Sequence, residues 1–365
     1  MSKMYLRIIF IFIFIAGAVG AHAAMAKTQI FDVTLVKPPS DNGKVSWHGY
    51  YEFEYWDKEN ANTTFDAHKI TVWMGIKLND MAYLSSEVEY EHTPKLGKEH
   101  AGGSGEINVD SAQLRITPTE STVVYMGVFY APFGIEYLSY PGHKNKLVTR
   151  PKVMKSGGVI PGTWSDVGIG VNQSLGSFGH MDVFYVNGDA KNGGISRDSS
   201  SGGNESKSLG ARLMLDGFVE GFNIGGSYVS GKWDEAGERD SVRYGAHIRI
   251  DSDIIFGVSY APVLIAEYVT GKDQAASFID GRDKEVYGYY AQASVSVHPK
   301  VEIVARYGQY DNDKEKNDNL KTETSAGVVW HMLDSVQLKG EYQWNTEEGA
   351  EKDNNAAAIQ FVAYW

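Results

Sequence analysis

Apolar and polar residues alternate along most of this chain, and this period of two is the feature that most restricts its possible folds. Between residues 69 and 78 every second residue is apolar: Ile70, Val72, Met74, Ile76 and Leu78. Successive side chains of a β-strand point to opposite faces, so the pattern predicts a strand with one apolar and one polar face. The alternation recurs at 208–215, 242–250 and 336–344, whereas no segment has a convincing helical period. The sequence therefore predicts an all-β fold.

The predicted strands are long, and the links between them alternate in length. Many segments run for about 10 to 14 residues, whereas soluble strands peak near 5 to 6. Short links alternate with long polar links, a pattern typical of outer-membrane barrels. About sixteen strands can be counted, which predicts a transmembrane antiparallel β-barrel with both chain ends on the periplasmic side. One strand, expected over 254–270, has an ambiguous start because its turn fits either 251–253 or 260–262.

The first residues have the pattern of a secretory signal peptide. Lys3 and Arg7 precede an apolar run over residues 8–19, which is shorter than the roughly 20 residues that a spanning helix needs. Small residues then offer cleavage after Ala23 or after Ala26. The expected organisation is a signal peptide (1–26), a short N-terminal periplasmic segment (27–43) and an outer-membrane β-barrel (44–365).

Composition excludes several classes of function. The formal net charge is −12, which argues against nucleic-acid binding because that needs a basic face. The chain has no cysteine, which excludes disulfides, thiolate metal sites and cysteine nucleophiles. Histidines such as His68 and His92 have carboxylates nearby in sequence but lack metal-motif spacing, and no nucleophile motif is present. We therefore predict no enzyme activity, no cofactor and no metal site.

The last strand ends on an aromatic residue. Phe361 and Trp365 fall on one face of an alternating segment. Such an ending resembles the signal that the barrel-assembly machinery reads in outer-membrane proteins. We therefore expect that machinery as a partner, with outer-membrane lipid and lipopolysaccharide as the surroundings of the folded barrel.

The longest link, residues 132–162, is basic in an otherwise acidic chain. No Asp or Glu occurs from Tyr137 to Ser165. A link of some 30 residues without secondary structure is usually functional. We expect it to fold into the barrel as a pore constriction, and the alternative is an exposed loop that binds lipopolysaccharide or stays in solvent. Its candidate constriction residues are His143, Lys144, Lys146, Arg150, Lys152 and Lys155.

Four segments carry a family resemblance. GVFYAPFG at 127–134, RP at 150–151, PGTWSDVGIG at 161–170 and FYVNG at 184–188 are similar to the phosphate-selective porin O and P family of Gram-negative outer membranes. The match is best over about residues 120–190. The resemblance implies a 16-stranded barrel, a homotrimer and a long third loop folded inward to narrow each pore. It does not carry phosphate specificity, because the arginines and lysines on which that depends cannot be matched here one by one.

The alternation also assigns basic residues to the inner wall of the barrel. These are Lys69, Lys77, Arg115, Arg212, Arg243, Arg249, Arg306 and Lys339. We expect an outer-membrane porin for passive diffusion of small hydrophilic solutes or ions, with an anion preference. The alternatives are a substrate-specific channel, for example for phosphate, an organic acid or a siderophore, and a structural barrel that sheathes another component.

Overall fold

A computed structural model describes residues 44–92, 105–155, 158–193, 204–277, 281–350 and 352–365. These residues form sixteen antiparallel strands that close into a barrel, in which each strand pairs with its chain neighbours and β1 pairs with β16. The expected signal peptide and periplasmic segment lie outside the described residues.

The strands agree with the predicted number and, with one exception, closely with the predicted positions. Their bounds are β1 (Val45–Lys58), β2 (Thr64–Lys77), β3 (Ala82–Glu91), β4 (Glu106–Thr119), β5 (Thr122–Tyr130), β6 (Ser165–Ser174), β7 (Gly179–Val186), β8 (Ser208–Leu215), β9 (Phe222–Lys232), β10 (Asp240–Asp251), β11 (Val263–Asp273), β12 (Lys284–His298), β13 (Val301–Asp311), β14 (Lys321–Leu333), β15 (Val336–Glu347) and β16 (Ala356–Tyr364). The described helices are short: α1 (Glu136–Ser139), α2 (Ser252–Phe256) and the 3₁₀ turns Lys152–Met154 and Gly176–Phe178. None of them is long and apolar enough to cross a membrane.

The exception is the strand expected over 254–270. It begins only at Val263, because residues 252–256 form α2 and Gly257 then adopts a left-handed conformation with φ 64°. The two turn positions that fitted the sequence, 251–253 and 260–262, fall at the two ends of the single connection between β10 and β11. The apolar run of α2 is too short for its period to distinguish a helix from a strand.

The barrel is apolar outside and polar inside. On β10, for example, Arg243 and Arg249 are buried, whereas Tyr244 between them is 53% exposed. Ile303 and Tyr307 on β13 are likewise exposed beside the buried Arg306. An outward apolar surface with a polar interior is the arrangement of strands that span a lipid bilayer. The two faces predicted from the alternation are therefore confirmed.

Link lengths also follow the predicted pattern, with one exception. Short connections such as 120–121 and 334–335 lie on one rim of the barrel, and longer connections such as 233–239 and 312–320 lie on the other. We call these the periplasmic rim and the outer rim, following the usual orientation of such barrels. The exception is 252–262, a long connection on the rim of the short links.

The last residue completes the closure between the first and last strands. The Trp365 N–H donates to the Gly49 carbonyl (3.1 Å), and the Gly49 N–H donates to the Trp365 carbonyl (3.2 Å). A Cβ atom at Gly49 would lie 2.2 Å from the Thr71 carbonyl oxygen and 2.7 Å from the Trp365 indole. Only glycine fits this close approach, so the seam depends on Gly49 as well as on the terminal tryptophan.

Candidate functional site: the inward loop and the inner wall

The connection between β5 and β6, residues 131–164, enters the barrel. We call it the inward loop. Its Gly134 N–H donates to Ser227 Oγ on β9 (2.9 Å), and its Ile135 N–H donates to Glu267 Oε1 on β11 (3.1 Å). Gly134 has φ +65°, and a Cβ atom there would lie on Glu267 Oε1. The loop therefore starts against inward-facing side chains of distant strands.

Glu136, the first residue of α1, joins the two limbs of the inward loop. Its Oε1 accepts from Arg150 Nη1 (3.1 Å), and its Oε2 accepts from Tyr290 Oη on β12 (3.0 Å). The Arg150 guanidinium also lies 4.5 Å from the centre of the Tyr137 ring. The Arg150 charge is thus balanced inside the loop, by a carboxylate that precedes the acid-free segment.

The tip of the loop reaches the seam between the first and last strands. The His143 ring lies 5.2 Å from the ring of Tyr50, 5.9 Å from that of Trp73 and 5.5 Å from that of Tyr364. Lys339 Nζ on β15 donates to the neighbouring Gly142 carbonyl (2.7 Å). Burial lowers the pKa of His143 to about 3, with smaller contributions from nearby lysines. His143 is therefore neutral at neutral pH and contributes packing rather than charge.

The return limb is held by carboxylates of the last strands. Glu341 accepts from the Thr149 N–H (2.7 Å) and from Thr149 Oγ1 (2.6 Å). Glu302 accepts from Lys146 Nζ (2.6 Å), and Leu147 packs in an apolar cluster with two wall valines. Charge-assisted bonds of this kind are about twice as strong as neutral ones.

Four of the five arginines predicted on the inner wall point inward and contact the loop. Arg212 donates to the Gly134 carbonyl (3.2 Å), Arg243 to the Val159 carbonyl (2.8 Å) and Arg306 to the Thr149 carbonyl (2.8 Å), while Arg249 donates to Tyr140 Oη (2.9 Å). Each also pairs with a wall carboxylate. Arg212 pairs with Asp182, Arg243 with Asp273, Arg249 with Asp251 and Arg306 with Glu323. Arg212 and Asp182 are both fully buried.

Five of the eight predicted wall cations therefore hold the loop. Four of them are arginines, and the fifth is Lys339. Burying a charge is unfavourable unless it is paired and hydrogen-bonded, and each of these arginines is both. Sequence alternation identified the inward face correctly. It could not show that a loop from another part of the chain covers that face.

The other three predicted wall cations lie apart from the loop anchors. Lys69 Nζ donates to Glu89 Oε1 (2.9 Å), and Arg115 Nη1 donates to Tyr83 Oη (3.2 Å). Lys77 pairs with Asp80 at 2.8 Å near the periplasmic rim. The wall cations are therefore not gathered in one place.

Three loop lysines remain without an ion-pair partner. Among the residues that the structure describes, no carboxylate oxygen lies within 4 Å of the ammonium of Lys144, Lys152 or Lys155, in contrast to Lys146 and Arg150. Burial lowers the pKa of all three lysines. They are the loop lysines whose ammonium groups form no ion pair with a described carboxylate.

Several residues of this arrangement were missed by sequence reasoning. Glu136, Glu267 and Glu323 all hold the loop, and Thr149 connects it to three wall residues, Glu341, Arg306 and Gln343. Glu267 and Glu323 could have been found from the sequence, because each occupies an inward-facing position on an alternating strand. Nothing in the local sequence distinguishes Thr149.

Comparison with known proteins identifies the family. A family model described as Gram-negative porin matches residues 13–350. The chain belongs to the Gram-negative porin family. This porin is therefore an outer-membrane channel, with a closed barrel and an inward loop. No curated protein is significantly similar to it in sequence.

Solved structures share the fold of this porin at low sequence identity. Salmonella typhi OmpF in complex with daunomycin has a TM-score of 0.64 at 12% identity, and the match covers 88% of this chain and 97% of OmpF. OmpT of Vibrio cholerae has a TM-score of 0.62 at 13% identity, covering 90% and 99%. The anion-selective porin from Comamonas acidovorans has a TM-score of 0.60 at 13% identity, covering 88% and 99%.

Proposed function

We propose that this porin is a passive diffusion channel, not an enzyme, and that the inward loop forms its constriction. The observation that carries the proposal is the attachment of one loop to inward-facing residues of β1 and of β8 to β15. A segment fixed in this way lies in the path of any solute that crosses the barrel. Charge at such a narrow point has the largest effect on permeation.

The proposed selectivity depends on the three unpaired loop lysines. Lys146 and Arg150 face partner carboxylates, and His143 is neutral, so Lys144, Lys152 and Lys155 supply the net positive charge of the loop. Lys144 and Lys152 are half-buried, and a partly buried charge is screened less by salt than an exposed one. We therefore propose an anion preference in a protein whose total charge is negative.

Ion selectivity of the purified porin in planar bilayers tests the proposal. Replacing Lys144, Lys152 and Lys155 together by Gln should shift the reversal potential in a dilute KCl gradient toward cation selectivity. The shift should shrink at 1 M salt, where the Debye length falls to about 3 Å.

A matched control removes the same charge from the outer rim. Lys207, Lys314 and Lys352 lie on outer connections, and their replacement by Gln should leave the reversal potential nearly unchanged. Equal shifts from the two triple variants would contradict a constriction role for the loop. A purified barrel that opens no conductance would instead favour the structural alternative, and solute-dependent block would favour a substrate-specific channel.

The expected export and assembly steps are part of the same proposal. We propose cleavage after Ala23 or Ala26, leaving a short periplasmic segment before the barrel of residues 44–365. N-terminal sequencing of the mature protein would test the cleavage site. Assembly by the barrel-assembly machinery, with Phe361 and Trp365 as its signal, and a lipopolysaccharide environment fit an outer-membrane channel.

A homotrimer is the proposed oligomeric state. One OmpT structure from Vibrio cholerae is described as a trimer form, which supports this state for a related fold. Mass measurement of the native complex in detergent would test it. Closer kinship with the phosphate-selective porin O and P group remains a proposal supported by the four motifs, without phosphate specificity.

A further inference from the structure

Two histidines and two carboxylates meet near the outer rim, on three neighbouring strands. Glu54 on β1 is opposite Asp66 on β2 in the strand register. His68 follows on β2, and the N–H of His92, just after β3, donates to the His68 carbonyl (2.9 Å). Sequence spacing did not predict this group because His68 and His92 belong to different strands.

A β-bulge contributes to the geometry. The pairing of β1 with β2 shifts register between Glu52 and Glu54, so that Glu52 is opposite Lys69 whereas Glu54 is opposite Asp66. Bulges of this kind redirect side chains. Here the extra residue on β2 lets Asp66 and Lys69 both lie beside inward-facing glutamates of β1.

The distances within the group suit one shared ion. Asp66 Oδ2 is hydrogen-bonded to His92 Nδ1 (2.8 Å), a contact that a shared ion would replace, and lies 3.4 Å from His68 Nδ1. Two ligands bound to a tetrahedral Zn²⁺ at about 2.0–2.1 Å are roughly 3.3 Å apart. One ligand atom from each of these three residues lies within 4.8 Å of the others. Small rotations of the side chains would therefore bring all three to a common centre.

His68 Nδ1 provides a separate indication of a ligand. This atom is buried and has no hydrogen-bond partner among the residues that the structure describes, although Asp66 Oδ2 and Glu54 Oε2 lie 3.4 and 3.7 Å away. A buried polar atom without a partner is unfavourable and unusual in folded proteins. A bound cation between Asp66 and the imidazole would satisfy it.

Glu54 belongs to the surroundings of the site. Its Oε2 accepts from Trp56 Nε1 (2.6 Å), and its Oε1 accepts from Gln360 Nε2 (2.6 Å). Its oxygens are thus already used, but its charge lies beside His68 and favours a cation. Imidazole nitrogens with one carboxylate suit Zn²⁺ or Cu²⁺ rather than Mg²⁺ or Ca²⁺, which prefer oxygen ligands.

We propose that Asp66, His68 and His92 bind a divalent transition-metal ion, represented by Zn²⁺, near the outer rim of the barrel. Three protein ligands leave a fourth tetrahedral position for water or a solute group. The ion would join β2 to the residue after β3. This site is independent of the inward loop and of the proposed ion selectivity.

Zinc binding to the untagged, full-length mature porin in detergent tests the proposal. Competition with a fluorescent zinc chelator should show one site per chain. His68→Ala and His92→Ala should each weaken it by more than the ~10–100-fold cost of losing an outer-shell partner. His298→Ala, on the periplasmic rim, is the matched control and should bind like the unmodified protein.

A second measurement identifies the ligands directly. Cu²⁺ at one equivalent should give an electron paramagnetic resonance spectrum with two nitrogen ligands, reduced to one in either histidine variant. Heat-modifiable migration in gels would verify that each variant is a folded barrel. Absent zinc binding, or binding and spectra that the folded His68→Ala and His92→Ala variants leave unchanged, would overturn the proposal.

Discussion

Thr149 gives the sharpest test of how the inward loop is held. Its hydroxyl donates to Glu341 Oε1 (2.6 Å) and accepts from Arg306 Nη2 (2.6 Å) and Gln343 Nε2 (3.2 Å). Thr149→Val removes all three bonds and nearly preserves side-chain volume. Bonds to charged groups contribute about 1.5–3 kcal/mol each, so two of them at the lower end give a loss of about 3 kcal/mol. Since 1.4 kcal/mol is a factor of ten, the detached population should rise about 100-fold.

The absence of native cysteine makes this population measurable. Met154 is buried on the same limb, so Met154→Cys places one thiol that reagents reach only when the loop detaches. In that background, Thr149→Val should raise the labelling rate by a polar maleimide about 100-fold. Val148→Thr, which makes the reverse exchange at the preceding residue, should have little effect. A change below about threefold for Thr149→Val would refute the anchoring role of the hydroxyl.

Three further predictions concern assembly, topology and pH. Deleting Trp365, or replacing Phe361 by Asp, should leave the protein periplasmic and degraded, because the closing seam is lost or a charge that is unfavourable in the bilayer faces lipid. Heat-modifiable barrels from both variants would contradict this. A tag inserted at Lys314 should be labelled on intact cells and one at Asn79 should not, and the reverse result would invert the barrel. Acid should release the loop, because the docked state keeps His143 neutral down to about pH 3 whereas a released histidine gains its proton near pH 6.5. Docking should therefore weaken as pH falls through this window, by up to about tenfold per pH unit, and His143→Phe should lessen the dependence. The labelling rate must be divided by that of an exposed cysteine at the same pH, because the reactive thiolate fraction also falls with pH.

The barrel was predictable because its signals are local. Alternation within a strand and the lengths of successive links are properties of short segments, and together they determine the strand number and the apolar outer face. The start of β11 was not predictable in the same way. Apolar residues over 254–258 fit an alternating strand as well as a short helix, and only the conformation of the chain around Gly257 decides between them.

The site was predictable only in part, because its contacts join distant segments. A basic loop and an inward row of cations could each be found from the sequence. Thr149 and Glu341, however, are separated by 192 residues, and their hydrogen bonds depend on where the loop crosses the barrel. The approach of His68 to His92 likewise depends on strand register and on a bulge that the alternation alone does not reveal.

Charge pairing reduces the influence that the wall arginines of this porin have on ion selectivity. Counting inward-facing cations would assign the anion preference to the wall, where Arg212, Arg243 and Arg306 occur. Each of these guanidiniums lies against a carboxylate and under the loop, so a solute meets little of its field. We therefore propose that their main effect on permeation is mechanical, through the position of the loop that they hold. The field at the proposed constriction is then determined by the few cations that lack a partner, and Lys144 and Lys155 should have a larger effect on ion selectivity than any wall arginine.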